Sequence, residues 1–308
     1  MEDIGRIVDL ARKQKGRKYR QIEHYLESVL NAPSNIVQPI APWNFPQETL
    51  HNLLMQMPNT FSSPVEALFT GRAFIKAASD RAARESIHCI EMQTMRDDAK
   101  YIVLSATANE TLYRQLFGDR LEFIDLSGTE TRGRCIVRNS RGYSKRSIAG
   151  DVKGFAEQVR MDRDRYGFDC VITHQAFVDA LNKADIPVAG HFGALEGLDR
   201  LGGRDIAIYG TPSIPQFSYK LYAHLLDIDI AGDVLEYGWR TIRRGEFEFQ
   251  MYLCSENPAM HELQIGLIEA ELIQAVGRAR LVRNDCTVHV FAAMPVPGCV
   301  IDDELDDG

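Results

Sequence analysis

The stretch Asp169–Gly210, DCVITHQAFVDALNKADIPVAGHFGALEGLDRLGGRDIAIYG, decides how the chain is read. Its apolar runs at Asp169–Thr173, Pro187–His191 and Asp205–Tyr209 are short and rich in β-branched residues, and Ala176–Ala184 between the first two has a helical pattern. Short apolar runs that alternate with helices predict an α/β fold built on a parallel sheet flanked by helices. Working outward, the same alternation continues. Further strands are predicted at Ile87–Met92, Tyr101–Ser105, Leu121–Asp125, Cys135–Val137 and Thr287–Ala292. Further helices are predicted at Glu110–Leu116, Val152–Arg165, Tyr219–Leu226 and His261–Val276.

Upstream of Ser86 the pattern is different. Ile4, Ile7, Val8 and Leu10 begin a helical stripe, and Ile22, Tyr25, Leu26, Val29 and Leu30 recur at helical spacing. Pro33, Pro39, Pro42 and Pro46 then interrupt, and Leu50–Met57 and Val65–Ala78 read as further helices, the second broken at Gly71. Residues 1–85 are therefore expected to form a mostly helical module. At the other end, residues 301–308 carry five acids and are expected to fray.

Composition bounds the function. With 308 residues, 45% of them hydrophobic and 25% charged, the chain can bury a large core, which excludes disordered and disulfide-scaffold classes. Its net charge of −8 lacks the basic excess of a protein that binds nucleic acid through bulk charge, so any such binding must be local. Six cysteines without a C-x-x-C pair favour reduced thiols over disulfides or zinc, hence a cytoplasmic or nucleoid-associated protein. The longest apolar runs fall far short of the ~20 residues of a membrane helix, so no membrane partner is expected.

Three segments carry chemistry. Leu104-Ser105-Ala106-Thr107-Ala108-Asn109 places small hydroxyl-bearing residues directly after an apolar run. Gly190-His191-Phe192-Gly193-Ala194-Leu195-Glu196-Gly197-Leu198-Asp199 joins two predicted strands, and Thr211-Pro212 follows the second of them. Gln274-Ala275-Val276-Gly277-Arg278-Ala279-Arg280 ends a helical pattern before the last strand. A loop that meets a ribose needs glycines for tight turns and a carboxylate to accept hydroxyl hydrogen bonds, and Gly193, Gly197 and Asp199 supply them. Phosphoryl transfer to water needs positive charge at the γ-phosphate, which arginine fingers provide.

In order and in context, this trio resembles motifs III, V and VI of superfamily 2 helicases. The middle segment is most similar to the DinG/XPD branch, and the resemblance covers roughly residues 87–293. It implies a RecA-like second helicase lobe. Arg278 and Arg280 would be catalytic arginine fingers, and Gln274 would help to read the nucleotide or water. Gly197, Asp199 and Gly277 would contact ATP, and Ser105 and Thr107 would couple the ATP site to motion between lobes. Motif VI is commonly Q-x-x-G-R-x-x-R, whose second arginine falls here at Leu281. Arginines stand instead at 278, 280 and 283, which leaves open whether Arg280 or Arg283 reaches phosphate.

A complete helicase also needs a G-x-x-x-x-G-K-[ST] loop for the phosphates and an acidic D-E-x-[HD]-type segment for Mg2+. The chain has no Gly-Lys dipeptide, and Asp302-Asp303-Glu304 lies on the wrong side of the other motifs. The expectation is half of an ATP site. Residues 1–85 would be a helical insert or accessory module and 86–125 the remnant of a first RecA-like lobe with motif III. Residues 126–300 would be the second RecA-like domain and 301–308 an acidic tail. ATP and Mg2+ would then bind only together with a first lobe, in cis or as a separate subunit, and the chain alone would be inactive. The other reading is a stand-alone, non-catalytic nucleic-acid- or partner-binding module.

Single-stranded DNA or RNA would be held by its phosphates. Thr131–Arg146 offers Arg132, Arg134, Arg138, Arg141, Lys145 and Arg146 around Tyr143 without an acid, in what reads as a basic hairpin. In Tyr237–Arg244, Tyr237 and Trp239 flank Arg240, Arg243 and Arg244 and suit base stacking. The basic N-terminal helix is a third candidate. Thr173, His174 and His191 end predicted strands, where open α/β sheets bind ligands.

Overall fold

The computed structural model of the protein describes all residues except 44–46, 57–64, 80, 81, 93, 94, 97, 106, 127, 128, 139–142, 196, 198, 231–235, 245, 246 and 303–308. In chain order the elements are α1 (Glu2–Lys13), α2 (Arg17–Leu30), β1 (Val37–Pro39), α3 (Gln47–Leu54), α4 (Ala67–Thr70), β2 (Ala73–Ser79), β3 (Ala82–Ile90) and α5 (Glu110–Phe117). They continue as β4 (Arg134–Val137), α6 (Lys145–Gly150), α7 (Val152–Tyr166), β5 (Cys170–Thr173), α8 (Val178–Lys183), β6 (Val188–His191) and β7 (Ile206–Tyr209). The last are α9 (Gln216–Leu225), β8 (Gly238–Arg244), β9 (Phe247–Leu253), α10 (Pro258–Val276), β10 (Thr287–Phe291) and β11 (Val300–Ile301). They fall into two units, Met1–Tyr101 with Ile214–Gly232, and Ile102–Ser213 with Asp233–Gly308.

The larger unit is built on a six-stranded sheet in the order β11-β4-β10-β7-β5-β6. Every neighbouring pair is parallel. Alternation along the strands divides the side chains between two faces. Ile172, Ile206, Ile208, Val288 and Val290 pack with Ile265, Ile268 and Leu272 of α10. Val171, Ala207, Tyr209 and Phe291 pack with Phe155 and Val159 of α7 and Leu181 of α8. Both faces are thus apolar, which is why these strands appear in the sequence as continuous hydrophobic runs. Each fully buried Ile or Leu contributes roughly 1.5–3 kcal/mol. Tyr209 stacks on its cross-strand partner Phe291 with centroids 4.2 Å apart. Its hydroxyl donates to buried Asp162 at 2.7 Å, and Gln158 donates to the other carboxylate oxygen at 2.9 Å, so this core carboxylate is satisfied.

Three expectations for this unit are corrected. The described residues of Thr131–Arg146 do not form a hairpin, because β4 pairs in parallel with β10 on one side and β11 on the other. The strand is led in through Gly133, where a Cβ would come within 2.4 Å of the Cys286 carbonyl oxygen. The C-terminal segment does not begin as a frayed tail, since Val300 and Ile301 are strand and Asp302 pairs with Arg138. Finally, Tyr101–Ser105 and Leu121–Asp125 form no strand. Ile102 and Leu104 are 79% and 92% exposed, and Ile124 and Leu126 are 71% and 77% exposed. A strand exists only by pairing, and these runs have no neighbour to pair with among the described residues. The helix between them, α5, does form, capped by Asn109 at 3.1 Å from Leu112 N, but buries none of its residues.

In the smaller unit α1 and α2 bury Ile4, Ile7, Val8, Ile22, Leu26 and Val29 against one another and against Leu50 and Leu53 of α3. Arg12 ties the pair together on the outside through Glu23 at 2.9 Å and Glu27 at 2.5 Å. The expected helix Val65–Ala78 is not observed. Only α4 is helical, and the chain turns at Gly71, where a Cβ would meet the carbonyl oxygens of Ala67 and Ile90 at 2.6 and 2.9 Å. Beyond it come β2 and β3, which with β1 from upstream form a three-stranded antiparallel sheet, so this module combines helices with a sheet. The predicted strand at Ile87–Met92 therefore belongs to β3, in an antiparallel sheet. Phe74 faces the helices, whereas Ala73 and Ile75 face Leu221 of α9.

Candidate functional site

The loop from β6 to β7 meets the carboxyl-terminal half of α10 and the turn after it. Gly193 and Gly197 have φ of 78° and 74°, the left-handed region that glycine adopts without strain, and a Cβ at either would meet open space. Between them Glu196, like Leu198 after Gly197, lies outside the described residues. The Gly193 amide donates to Glu271 of α10 at 3.1 Å. Asp199 opens a short 3-10 turn, and Gly203 behind it donates to the Ala279 carbonyl at 3.0 Å. These links bring the second and third motif segments together.

At the centre of this junction Asp199 accepts a hydrogen bond from Arg280, whose own backbone is left-handed at φ 57°. A non-glycine residue in that conformation is strained by about 1 kcal/mol or more and persists only where its surroundings enforce it. Here Asn284 donates to the carbonyls of Ala279 and Arg280, both at 3.3 Å, and closes the turn. Arg278 is half-buried, and among the described residues its Nε has no hydrogen-bond partner. Gln274 is half-buried on the last turn of α10. Gly277 has helical φ and open space at its Cβ, so its conformation does not require glycine. Arg283 is exposed, whereas Leu281 is buried in the core and its carbonyl accepts from Arg132 and Gly133.

The first motif segment stands apart from this junction. Ser105 Oγ accepts from the Thr107 amide at 3.2 Å and lies 3.4 Å from its hydroxyl, forming a turn before α5. Ala106 is outside the described residues. Among the described residues no hydrogen bond joins Ser105 or Thr107 to the second or third segment.

The residues expected to meet nucleic acid divide by burial. Thr173 is fully buried, and its hydroxyl donates to the Tyr209 carbonyl at 2.9 Å. His174 is buried beside Gly210 and Phe192, its Nε2 has no partner among the described residues, and burial followed by Lys145 pushes its pKa down to about 4. Neither side chain presents a cation or a free hydroxyl to solvent. Arg138 is engaged inside the sheet, paired with Asp302 and lying 3.6 Å above the Tyr166 ring. Arg141 is outside the described residues. Lys145 and Arg146 are exposed at the start of α6, and His191 is half-buried with Nδ1 2.9 Å from the Phe192 carbonyl.

Glu271, Asn284 and Tyr252 were not singled out from the sequence. The only signal for Glu271 is that it lies one helical turn before Gln274. Among the described residues there is no cluster of His, Cys, Asp or Glu able to hold a metal, and no helix long and apolar enough to cross a membrane. No family model, curated protein or solved structure matches the chain.

Proposed function

We propose that the chain is the C-terminal portion of an ATP-dependent DNA or RNA helicase or translocase, with the parallel sheet as its RecA-like second lobe. The reading is carried by one observation: the Gly193–Asp199 loop meets α10 and the turn that follows it, through Gly193 on Glu271 and Arg280 on Asp199. The site suits a nucleotide. Arg278 Nε is buried without an acceptor among the described residues, so a phosphate would meet this guanidinium through its outer nitrogens. Bound ATP would supply the transferable phosphoryl group. Arg278 and either Arg280 or Arg283 would then neutralise charge on it, Asp199 would accept from ribose hydroxyls, and Gln274 would orient the nucleotide or water. For Arg280 this requires Asp199 to release it, an exchange the exposed pair can make at little cost. Among the described residues no carboxylate cluster could hold Mg2+, so its ligands would come from the other lobe.

The lobe that completes the site would carry the phosphate-binding loop and the acidic segment. The test is ATP hydrolysis by the purified chain, alone and mixed with a lobe bearing a G-x-x-x-x-G-K-[ST] loop encoded in the same or a neighbouring reading frame. The chain alone is expected to be inactive. The mixture is expected to hydrolyse ATP and to lose about a thousandfold or more in rate with Arg278→Ala. Hydrolysis by the chain alone, or hydrolysis indifferent to both Arg278 and Arg280, would overturn the proposal.

A further inference from the structure

The hairpin β8–β9 has two chemically different faces. On the inner face Phe249, Met251 and Leu253 are buried in the core of the large unit. Arg240 and Arg244 alternate with the outward residues of β8 and are half-buried in ion pairs with Glu256 at 2.8 Å and Glu262 at 3.2 Å. Gln264 of α10 fastens β9 from behind, accepting from Cys254 N at 2.9 Å and donating to the Tyr252 carbonyl at 3.3 Å. The hairpin is therefore a rigid shelf.

The outer face has three cross-strand rungs, with Trp239 opposite Tyr252, Thr241 opposite Gln250 and Arg243 opposite Glu248. Tyr237 stacks on Tyr252 with centroids 5.3 Å apart and planes at 19°, and Trp239 lies 5.4 Å from the same ring. The three rings are exposed, Trp239 to 64%. No aliphatic side chain shares this face, and along it the rings give way to a hydroxyl–amide pair and then to Arg243, whose side chain is 81% exposed. Trp239 and Arg243 are separated by four residues of strand, about 13 Å.

The geometry points to this face as a stacking platform for the unpaired bases of single-stranded nucleic acid, with Arg243 meeting a backbone phosphate beyond the rings. This deepens the proposed function and rests on its nucleic-acid reading. An aliphatic peptide would find no apolar groove here, whereas open ring faces followed by one exposed cation match alternating bases and phosphates. Arg243 is shared with Glu248, but an exposed ion pair is weak and phosphate competes for the guanidinium with bidentate geometry. The sequence had grouped three arginines with the aromatics. The fold leaves one of them on the aromatic face and adds Tyr252 from the other strand.

The experiment is a fluorescence titration of the full chain with oligothymidylate and with an abasic deoxyribose-phosphate oligomer of equal length. Trp43, the other of the two tryptophans, is packed among Tyr25 and Phe69 of the smaller unit and gives a constant background. Oligothymidylate is expected to quench Trp239 and the abasic oligomer to leave it unchanged. Trp239→Ala or Tyr252→Ala is expected to weaken oligothymidylate binding at least about fivefold, and Trp239→Phe to retain most of it. Arg243→Gln is expected to weaken binding at low salt and to flatten its salt dependence. Oligothymidylate that binds without altering Trp239 fluorescence, or no more tightly than the abasic oligomer, overturns the platform while sparing the nucleic-acid reading. Failure of both oligomers to bind overturns both.

Discussion

His289 sits at the middle of the large sheet as an acceptor, not as a cation. Its Nδ1 faces Arg138 Nε at 3.4 Å, which fixes the ring proton on Nε2, and its ring stacks on Tyr166 with centroids 5.3 Å apart. Burial first and Arg138 second hold its pKa down to about 4, against Asp205 and Asp302 pulling the other way. His174 is held at about 4 by burial and then by Lys145. Both rings are neutral in the folded chain and become charged in the unfolded chain below its ordinary pKa of about 6.5. Their contribution is complete above pH ~6.5 and is lost as pH falls from there towards 4, by up to about 3 kcal/mol for each. Thermal unfolding followed from pH 7.5 to 4 is expected to show this decline, and His289→Gln is expected to flatten it. An unchanged slope in that variant would mean that His289 is not the titrating group.

At the scale of elements, the smallest strand tests how the large sheet ends. β11 contributes two residues beside β4, and Asp302 directly after it neutralises Arg138, whose side chain is 12% exposed. Removing residues 300–308 strips the edge from β4 and leaves a mostly buried guanidinium without its carboxylate. A loss of roughly 2–4 kcal/mol in denaturant unfolding is expected, with Asp302→Ala giving much of it. β5 and β7 were legible in the sequence because strands buried on both faces are nearly unbroken apolar runs, β10 because only His289 interrupts Val288, Val290 and Phe291, and the interleaved helices follow from the same alternation. β2 was not, because Leu68, Phe69, Phe74 and Ile75 satisfy a helical and an alternating pattern about equally, and only the turn at Gly71 separates the two. The hairpin escaped because β8 alternates Trp239, Thr241 and Arg243 with Arg240, Ile242 and Arg244, so neither of its faces reads as apolar, and the buried apolar positions lie on β9. At the candidate site, the Gly and Arg positions were legible from spacing. Glu271 and Asn284 act through backbone groups brought near only by folding, and Thr173, His174 and Arg138 turned inward because a strand end in the sequence does not say which face it meets.

At the scale of the whole molecule, the segment from Tyr101 to Leu126 is the part that the fold does not account for by itself. Two apolar runs flank a helix with no buried residue, and Ile102, Leu104, Ile124 and Leu126 each leave most of their surface in water. Apolar runs on either side of a helix become stable strands within a parallel sheet, where neighbouring strands satisfy their backbone and cover both faces. Under the proposed function it would be part of a first lobe, and the rest of that lobe would cover it. The quadruple change Ile102→Ser, Leu104→Ser, Ile124→Ser and Leu126→Ser is therefore expected to leave the unfolding free energy of the isolated chain within about 1 kcal/mol, since none of the four is buried. It is expected to abolish association with a phosphate-loop lobe in sedimentation, and with it the ATP hydrolysis of the mixture. Loss of stability in the isolated chain would show that these residues already pack within it. Retained association would place the contact between lobes elsewhere, with Arg278 and Arg280 reaching the nucleotide across a junction that this segment does not build.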